Sequence, residues 1–367
     1  MDNFLRRLAC PFSHSETSYI PIMTWIIERS LRSFSIPLTS EIGKSEYDTN
    51  FFPMKKIKHW VVYFCTIFIW LAINVLFAFW FYKNIYNSNG TKTLPVWQKV
   101  IAFYFLTAYV MIFCMQICLH FRKGEFLQVL KTCVWIEKKC IDRGASNYRE
   151  IGILANLDAT KMALIVVPIL MTGLGAGYVW YSMVAVFVTV VSRVLLYPAV
   201  MVELWIKVLE RKLYHSDFEF TKSHGLTDFR VAQVFQNLTN SVMRKPLVNL
   251  VVLKVIISQT ISLYVIIASL ENISFGVASF FFLIGLDFFL IIHVTLHSQS
   301  KPYVVSVKFF ENMKTLRLKS AWFKKFLKSC PPLKVGMGEG KFFDELTSFI
   351  IWQFCVDRLI NMLLLEK

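Results

Sequence analysis

Charge is what this chain has least of: Asp, Glu, Lys and Arg make up 17% of its 367 residues, against 56% apolar ones. Whole stretches of about 20 residues hold almost none, which excludes a water-soluble globular fold. Catalytic groupings are missing too. There is no Gly-rich phosphate loop and no Ser/His/Asp or Cys/His set at a persuasive spacing, so neither an enzyme nor a cofactor is expected. His293 and His297 stand at i, i+4, but His14, His59, His120, His215 and His224 form no second cluster, and no metal site is expected. All eight cysteines fall in apolar stretches or in the basic segments that join them, which leaves no disulfide to brace the remaining loops.

What is present in abundance is the long apolar run. Seven occur: Trp60 to Tyr82, Ile101 to Phe121, Leu154 to Met171, Tyr178 to Val202, Val248 to Leu270, Phe275 to Val294 and Leu346 to Leu365. Each is close to the roughly 20 residues that carry a helix across a bilayer. The third and fourth are nearly continuous, and Gly173, Gly175 and Gly177 mark where the chain folds back between them. The expected fold class is therefore all-α, a polytopic membrane protein with seven transmembrane helices.

Basic residues stay with the cytoplasm during insertion, and here they alternate cleanly. One side collects Arg6, Arg7, Arg29, Arg32, Lys44, Lys55, Lys56 and Lys58, then the clusters 122–149 and 207–245, then Lys301, Lys308, Lys314, Arg317, Lys319, Lys324, Lys325, Lys328, Lys334 and Lys341. The other side has only Lys83, Lys92, Lys99 and Lys367. This predicts a cytoplasmic amino terminus. The net charge of +16 is thus an orientation signal and an attraction to anionic inner-leaflet lipid; scattered over four segments, it does not describe a nucleic-acid-binding domain. No apolar core precedes Trp60, so the first span is expected to be its own anchor. The acceptors Asn89-Gly90-Thr91 and Asn272-Ile273-Ser274 fall in outside loops and are expected to be glycosylated, whereas Asn237-Leu238-Thr239 falls inside.

Outside loops this short cannot hold a protein ligand, so whatever binds from outside is small or enters between helices. The inner segments are longer and patterned. Phe126, Val129, Leu130, Cys133, Val134, Cys140 and Ile141 repeat at helical spacing among Lys131, Glu137, Lys138 and Lys139. Leu204, Trp205, Val208 and Leu209 prolong the fourth run, and Val231, Val234, Phe235 and Leu238 precede the fifth. These predict helices that extend past the membrane and pack together below it.

Charge inside a span is costly and calls for a reason. Asp158, Lys161 and Lys254 sit near inner ends, from which they are expected to reach the interface. In the last run Gln353, Asp357 and Asn361 recur every four residues, along one side of a helix that faces water or a partner's polar groups. The competing reading pairs Asp357 and Arg358 with Arg193 or Asp287 as bundle braces.

The layout resembles that of the insect chemoreceptor superfamily, in particular gustatory receptors and gustatory-receptor-like proteins. The resemblance is carried by the cytoplasmic stretch Val304 to Leu333 and by Gly338-Glu339-Gly340-Lys341-Phe342-Phe343-Asp344, which looks like the family's Gly-x-Phe approach to its last helix. The usual gustatory signature, Thr-Tyr, five apolar residues and Gln-Phe, is replaced by Ile360-Asn361-Met362-Leu363-Leu364-Leu365-Glu366-Lys367, while Gln353-Phe354 comes earlier in the helix. The resemblance implies a plasma-membrane chemoreceptor: a homo- or hetero-tetrameric, ligand-gated cation channel. Its last helices, here with Gln353, Asp357 and Asn361, would line the pore. It also implies a small-molecule site in the outer half of the bundle. The aromatic residues at that depth are Tyr104, Phe105, Tyr178, Trp180, Tyr181 and Phe281. On this plan the chain divides into an amino-terminal cytoplasmic segment (1–58), six spans with their extensions (59–297), a cytoplasmic helical linker (298–341) and the pore helix (342–367).

Three rivals stand beside it. A G-protein-coupled receptor has its amino terminus outside and carries Asp-Arg-Tyr and Asn-Pro-x-x-Tyr motifs that are not found here. A transporter would be expected to have related halves or broken helices, for which Pro168 and Pro198 are thin grounds. A multipass lipid-modifying enzyme needs a catalytic cluster.

Overall fold

The apolar runs become helices whose ends fall where local chemistry interrupts the backbone ladder. The computed structural model describes residues 38–42, 49–54, 57–86, 95–143, 184–215, 218–243, 246–268, 273–315, 325–326, 328–338 and 340–365. A short antiparallel hairpin, β1 (Leu38–Ile42) and β2 (Thr49–Pro53), precedes α1 (Ile57–Phe81), which runs on through a π-helical turn, Tyr82–Tyr86. Helix α2 (Val96–Phe121) starts five residues before the expected Ile101, because Pro95 fixes the entry angle and its carbonyl accepts from Gln98 and Lys99. Arg122 leaves the helical region, and α3 (Lys123–Asp142) sets off in a new direction. Helix α4 covers 184–215, with a π-helical stretch Val190–Leu196 leading into Tyr197–His215.

Helix α5 (Phe218–Met243) and α6 (Leu247–Ala268) are separated at Pro246, which cannot continue a helical ladder from within. Helix α7 (Phe275–Leu290) passes through a π-helical stretch, Ile291–Leu296, toward α8 (Lys301–Thr315). A tight hairpin of β3 (Gly336–Gly338) and β4 (Lys341–Phe342) then turns on Gly338 and Gly340, both at positive φ, where a Cβ would be strained. It delivers the chain to α9 (Thr347–Leu365), whose start is closed by reciprocal hydrogen bonds between Asp344 and Thr347.

Six stretches among the described residues are long and apolar enough to cross a membrane: Ile57–Asn84, Val96–Phe121, Val184–Arg211, Leu247–Ala268, Phe275–Lys314 and Thr347–Leu365. They answer to six of the seven runs; the third run and its glycine turn lie outside the described residues. The chain is a mainly helical, multi-pass membrane protein. At 40 residues the Phe275–Lys314 stretch is about 60 Å long, roughly twice the hydrocarbon core, so it must project beyond the bilayer.

The helices sort into two tiers. In the upper tier α6 packs against α2, α7 and α9, and α1 lies on α2. In the lower, basic tier α4 packs against α3, α5 and α8, with β2 on α3. Phe126, Val129, Leu130, Cys133 and Cys140 are all buried there, as their spacing predicts, while Val134 and Ile141 are half-buried and Val234 is 67% exposed. Burial pushes the Cys140 thiol up to about 12 and raises that of Cys133, so both are inert core residues. Glu137, expected on the polar face, is instead 2% exposed: its carboxylate turns inward to the Tyr197 hydroxyl.

Candidate functional site

Helix α9 has one buried edge and one free face. Thr347, Ser348, Ile351, Cys355 and Leu359 form the edge against α6 and the π-helical segment of α7, and Thr260 Oγ1 donates to the Cys355 carbonyl at 3.5 Å. On the same side Trp352 packs with Phe289 and His293, whose rings are 4.3 Å apart, so His293 serves packing. Gln353, Asp357 and Asn361 lie opposite the buried edge and are all exposed, flanked by the exposed Leu346, Phe349, Ile350, Ile360 and Leu364. The brace reading does not hold. The Arg358 guanidinium lies over the Phe354 ring at 4.5 Å, Arg193 is buried in α4 beside Tyr197, and Asp357 has no ion pair among the described residues. Beside this face, an apolar cleft of about 460 Å³ opens between α2, α6 and α9, with Lys99 and Arg358 at its margin.

The candidate ligand residues are partly brought together. Tyr104 is buried at the α2–α7 contact, edge-on to Phe105 and to Phe281 at 5.4 Å in each case, and Phe105 stacks on Phe280 at 6.3 Å. Tyr178, Trp180 and Tyr181, and the glycosylation candidates Asn89 and Asn272, lie outside the described residues. Asn237 is exposed on α5 in the basic tier.

Beneath the aromatic cluster the structure places a residue that sequence reading set elsewhere. Lys254 does not reach the interface; it is 2% exposed, with Nζ 4.5 Å from the Tyr104 ring centre and 5.7 Å from that of Phe288. Ser258 and Asp287 flank the Tyr104 phenol. Ser262, a further turn along α6, meets Gly285 of α7, where an added Cβ would stand 3.4 Å from the serine Cβ; the small pair lets these helices close up. Lys254, Ser258 and Ser262 share the four-residue beat of the α9 stripe, and that repeat was the available signal.

The two tiers are joined at Arg122, which donates to the carbonyls of Ser241 and Val242 at the end of α5. A guanidinium there satisfies carbonyls that a helix end leaves open. Below it Arg143 pairs with Asp228 at 3.3 Å and lies over Trp205, whose Nε1 donates to the Asp228 carbonyl.

No family model and no curated protein matches this sequence. Solved structures do. The olfactory receptor OR5 of the insect Machilis hrabei superposes with a TM-score of 0.63 at 8% identity, over 94% of this chain and 99% of that one. The fold is that of an insect olfactory receptor. The same receptor in complex with eugenol gives a TM-score of 0.54 at 9% identity, over 95% of this chain and 99% of the other. At this identity the receptor fold is what is shared; side-chain roles rest on the residues of this chain.

Proposed function

We propose that this chain is a subunit of a divergent chemoreceptor of the plasma membrane, of gustatory type, acting as a ligand-gated cation channel. The observation that carries the reading is the free face of α9. An unpaired Asp357 turned toward lipid is costly, about 2.5–3.5 kcal/mol on insertion scales. Toward a shared water-filled axis, the cost falls away and a ring of carboxylates favours cations. Related or identical subunits, four by the family resemblance, would set their α9 helices around that axis, with Gln353, Asp357 and Asn361 lining it. The lower tier, together with the linker 298–341, joins subunits on the cytoplasmic side.

The ligand is a small molecule held in the outer half of the bundle by Tyr104, Phe105 and Phe281, with Tyr178, Trp180 and Tyr181 as further candidates. That a receptor of the same fold was solved with eugenol, a small aromatic molecule, supports this class of ligand. The test is the symmetry of the protein purified in detergent. A fourfold particle favours the channel over a G-protein-coupled receptor, a transporter or a lipid-modifying enzyme; a monomer overturns it.

A further inference from the structure

Lys254 is an ammonium buried within the membrane tier, and its Nζ has no hydrogen-bond or ionic partner among the described residues. The Tyr104 ring at 4.5 Å offsets part of the cost of removing a cation from water, yet leaves its N–H donors unused. One turn along α6, Ser258 is fully buried, with its hydroxyl beside the Tyr104 phenol. Asp287 flanks Tyr104 from α7 and makes no ion pair with Lys254. The Tyr104 ring in turn meets Phe105 and Phe281, and Phe281 meets Phe280. The arrangement therefore has an ammonium without an acceptor beside an aromatic wall. An ionisable residue at this depth calls for a functional account.

We propose that this site binds a small carboxylate, its head group held by Lys254 Nζ and its apolar body lying among Phe105, Phe280 and Phe281. The proposal rests on the receptor reading for the position of the site, and goes beyond it by naming the ligand class. A carboxylate supplies the missing acceptor, and a charge-assisted hydrogen bond outdoes the neutral one that an alcohol or ester makes.

The probes are phenylacetate and its neutral counterparts 2-phenylethanol and methyl phenylacetate, titrated against the full chain in nanodiscs by tryptophan fluorescence. Phenylacetate should bind about tenfold or more tightly than either neutral probe, roughly one charge-assisted contact in size. Lys254→Met should erase that preference while leaving 2-phenylethanol binding within about threefold, and Lys254→Arg should keep it. Equal affinities in the unmodified protein, or a preference that survives Lys254→Met, overturns the proposal. So does loss of the preference in Asp287→Asn, which would mark Lys254 and Asp287 as a structural pair. Should Lys254→Met fail to fold, the unmodified protein still decides through the ratio of its affinities for phenylacetate and 2-phenylethanol, and a ratio near one counts against the site. Currents separate the two readings. Lysine-dependent binding with no current leaves the site standing and sinks the channel, whereas currents evoked by neutral probes and indifferent to Lys254→Met do the reverse.

Discussion

The Tyr197 hydroxyl donates a 2.6 Å hydrogen bond to the Glu137 carboxylate in the interior between α4 and α3. A hydrogen bond to a charged acceptor contributes about 1.5–3 kcal/mol, and the penalty for leaving a buried carboxylate short of a donor is of the same order. Tyr197→Phe removes the donor and little else. It should lower the unfolding free energy of the detergent-solubilised protein by about that amount, while Glu137→Gln, which keeps an acceptor oxygen, should cost less. Equal losses would show that the charge matters more than the hydroxyl.

A second prediction concerns the lower tier. Phe126 and Phe235 are fully buried inside the subunit, so Phe→Ala at either should destabilise the subunit itself by about 3–5 kcal/mol. Val234, 67% exposed on the same helix as Phe235, should tolerate Val234→Ala in the isolated subunit and reveal itself only in association. Thermal unfolding and size-exclusion profiles separate the two effects. A stable, monodisperse Phe235→Ala protein would contradict the packing.

The helical plan was legible because it rests on one-dimensional signals: apolar runs of membrane length, a lopsided basic charge and a helical period in the inner segments. The breaks at Pro95, Pro246 and Gly338 were not singled out by the apolar runs, which give the extent of a helix and not the residue that ends it. What escaped depended on pairing between distant segments. Glu137 read as a surface residue because it stands beside Lys138 and Lys139, yet Tyr197, which no local pattern connects to it, draws it inside. Lys254 read as an inner-end lysine able to reach water, since position along a helix gives depth and not direction; only the approach of α2 shows that it points at Tyr104. The α9 stripe was legible as a pattern, and its exposure follows from the buried edge Ile351, Cys355 and Leu359 on the opposite side.

Orientation supplies a third test. An amino-terminal tag should be reachable only after the plasma membrane is permeabilised, in keeping with the basic residues on that side. Glycosidase treatment should shift the protein through Asn89 or Asn272 and not through Asn237, which sits on α5 in the basic tier. A glycan lost in Asn237→Gln, or a tag exposed on intact cells, would invert the topology and remove the basis of the channel reading.

The last prediction addresses the α9 face. Single cysteines placed from Gln353 to Leu364 should react with water-soluble thiol reagents on a four-residue beat, strongest at 353, 357 and 361. Cys355, on the buried edge, provides an unreactive reference within the same helix. In recordings, Asp357→Asn should reduce the preference for cations over anions, because a neutral amide leaves the axis without its carboxylate ring. Arg358→Ala should alter selectivity less, since that guanidinium is engaged with Phe354. Two results would point elsewhere. Uniform protection along the helix would place its outer face in lipid or in a dry subunit contact. An Asp357→Asn change that only lowered the yield of folded protein would make the carboxylate a partner for a neighbouring subunit's cation, and the ion path would then have to be sought away from α9.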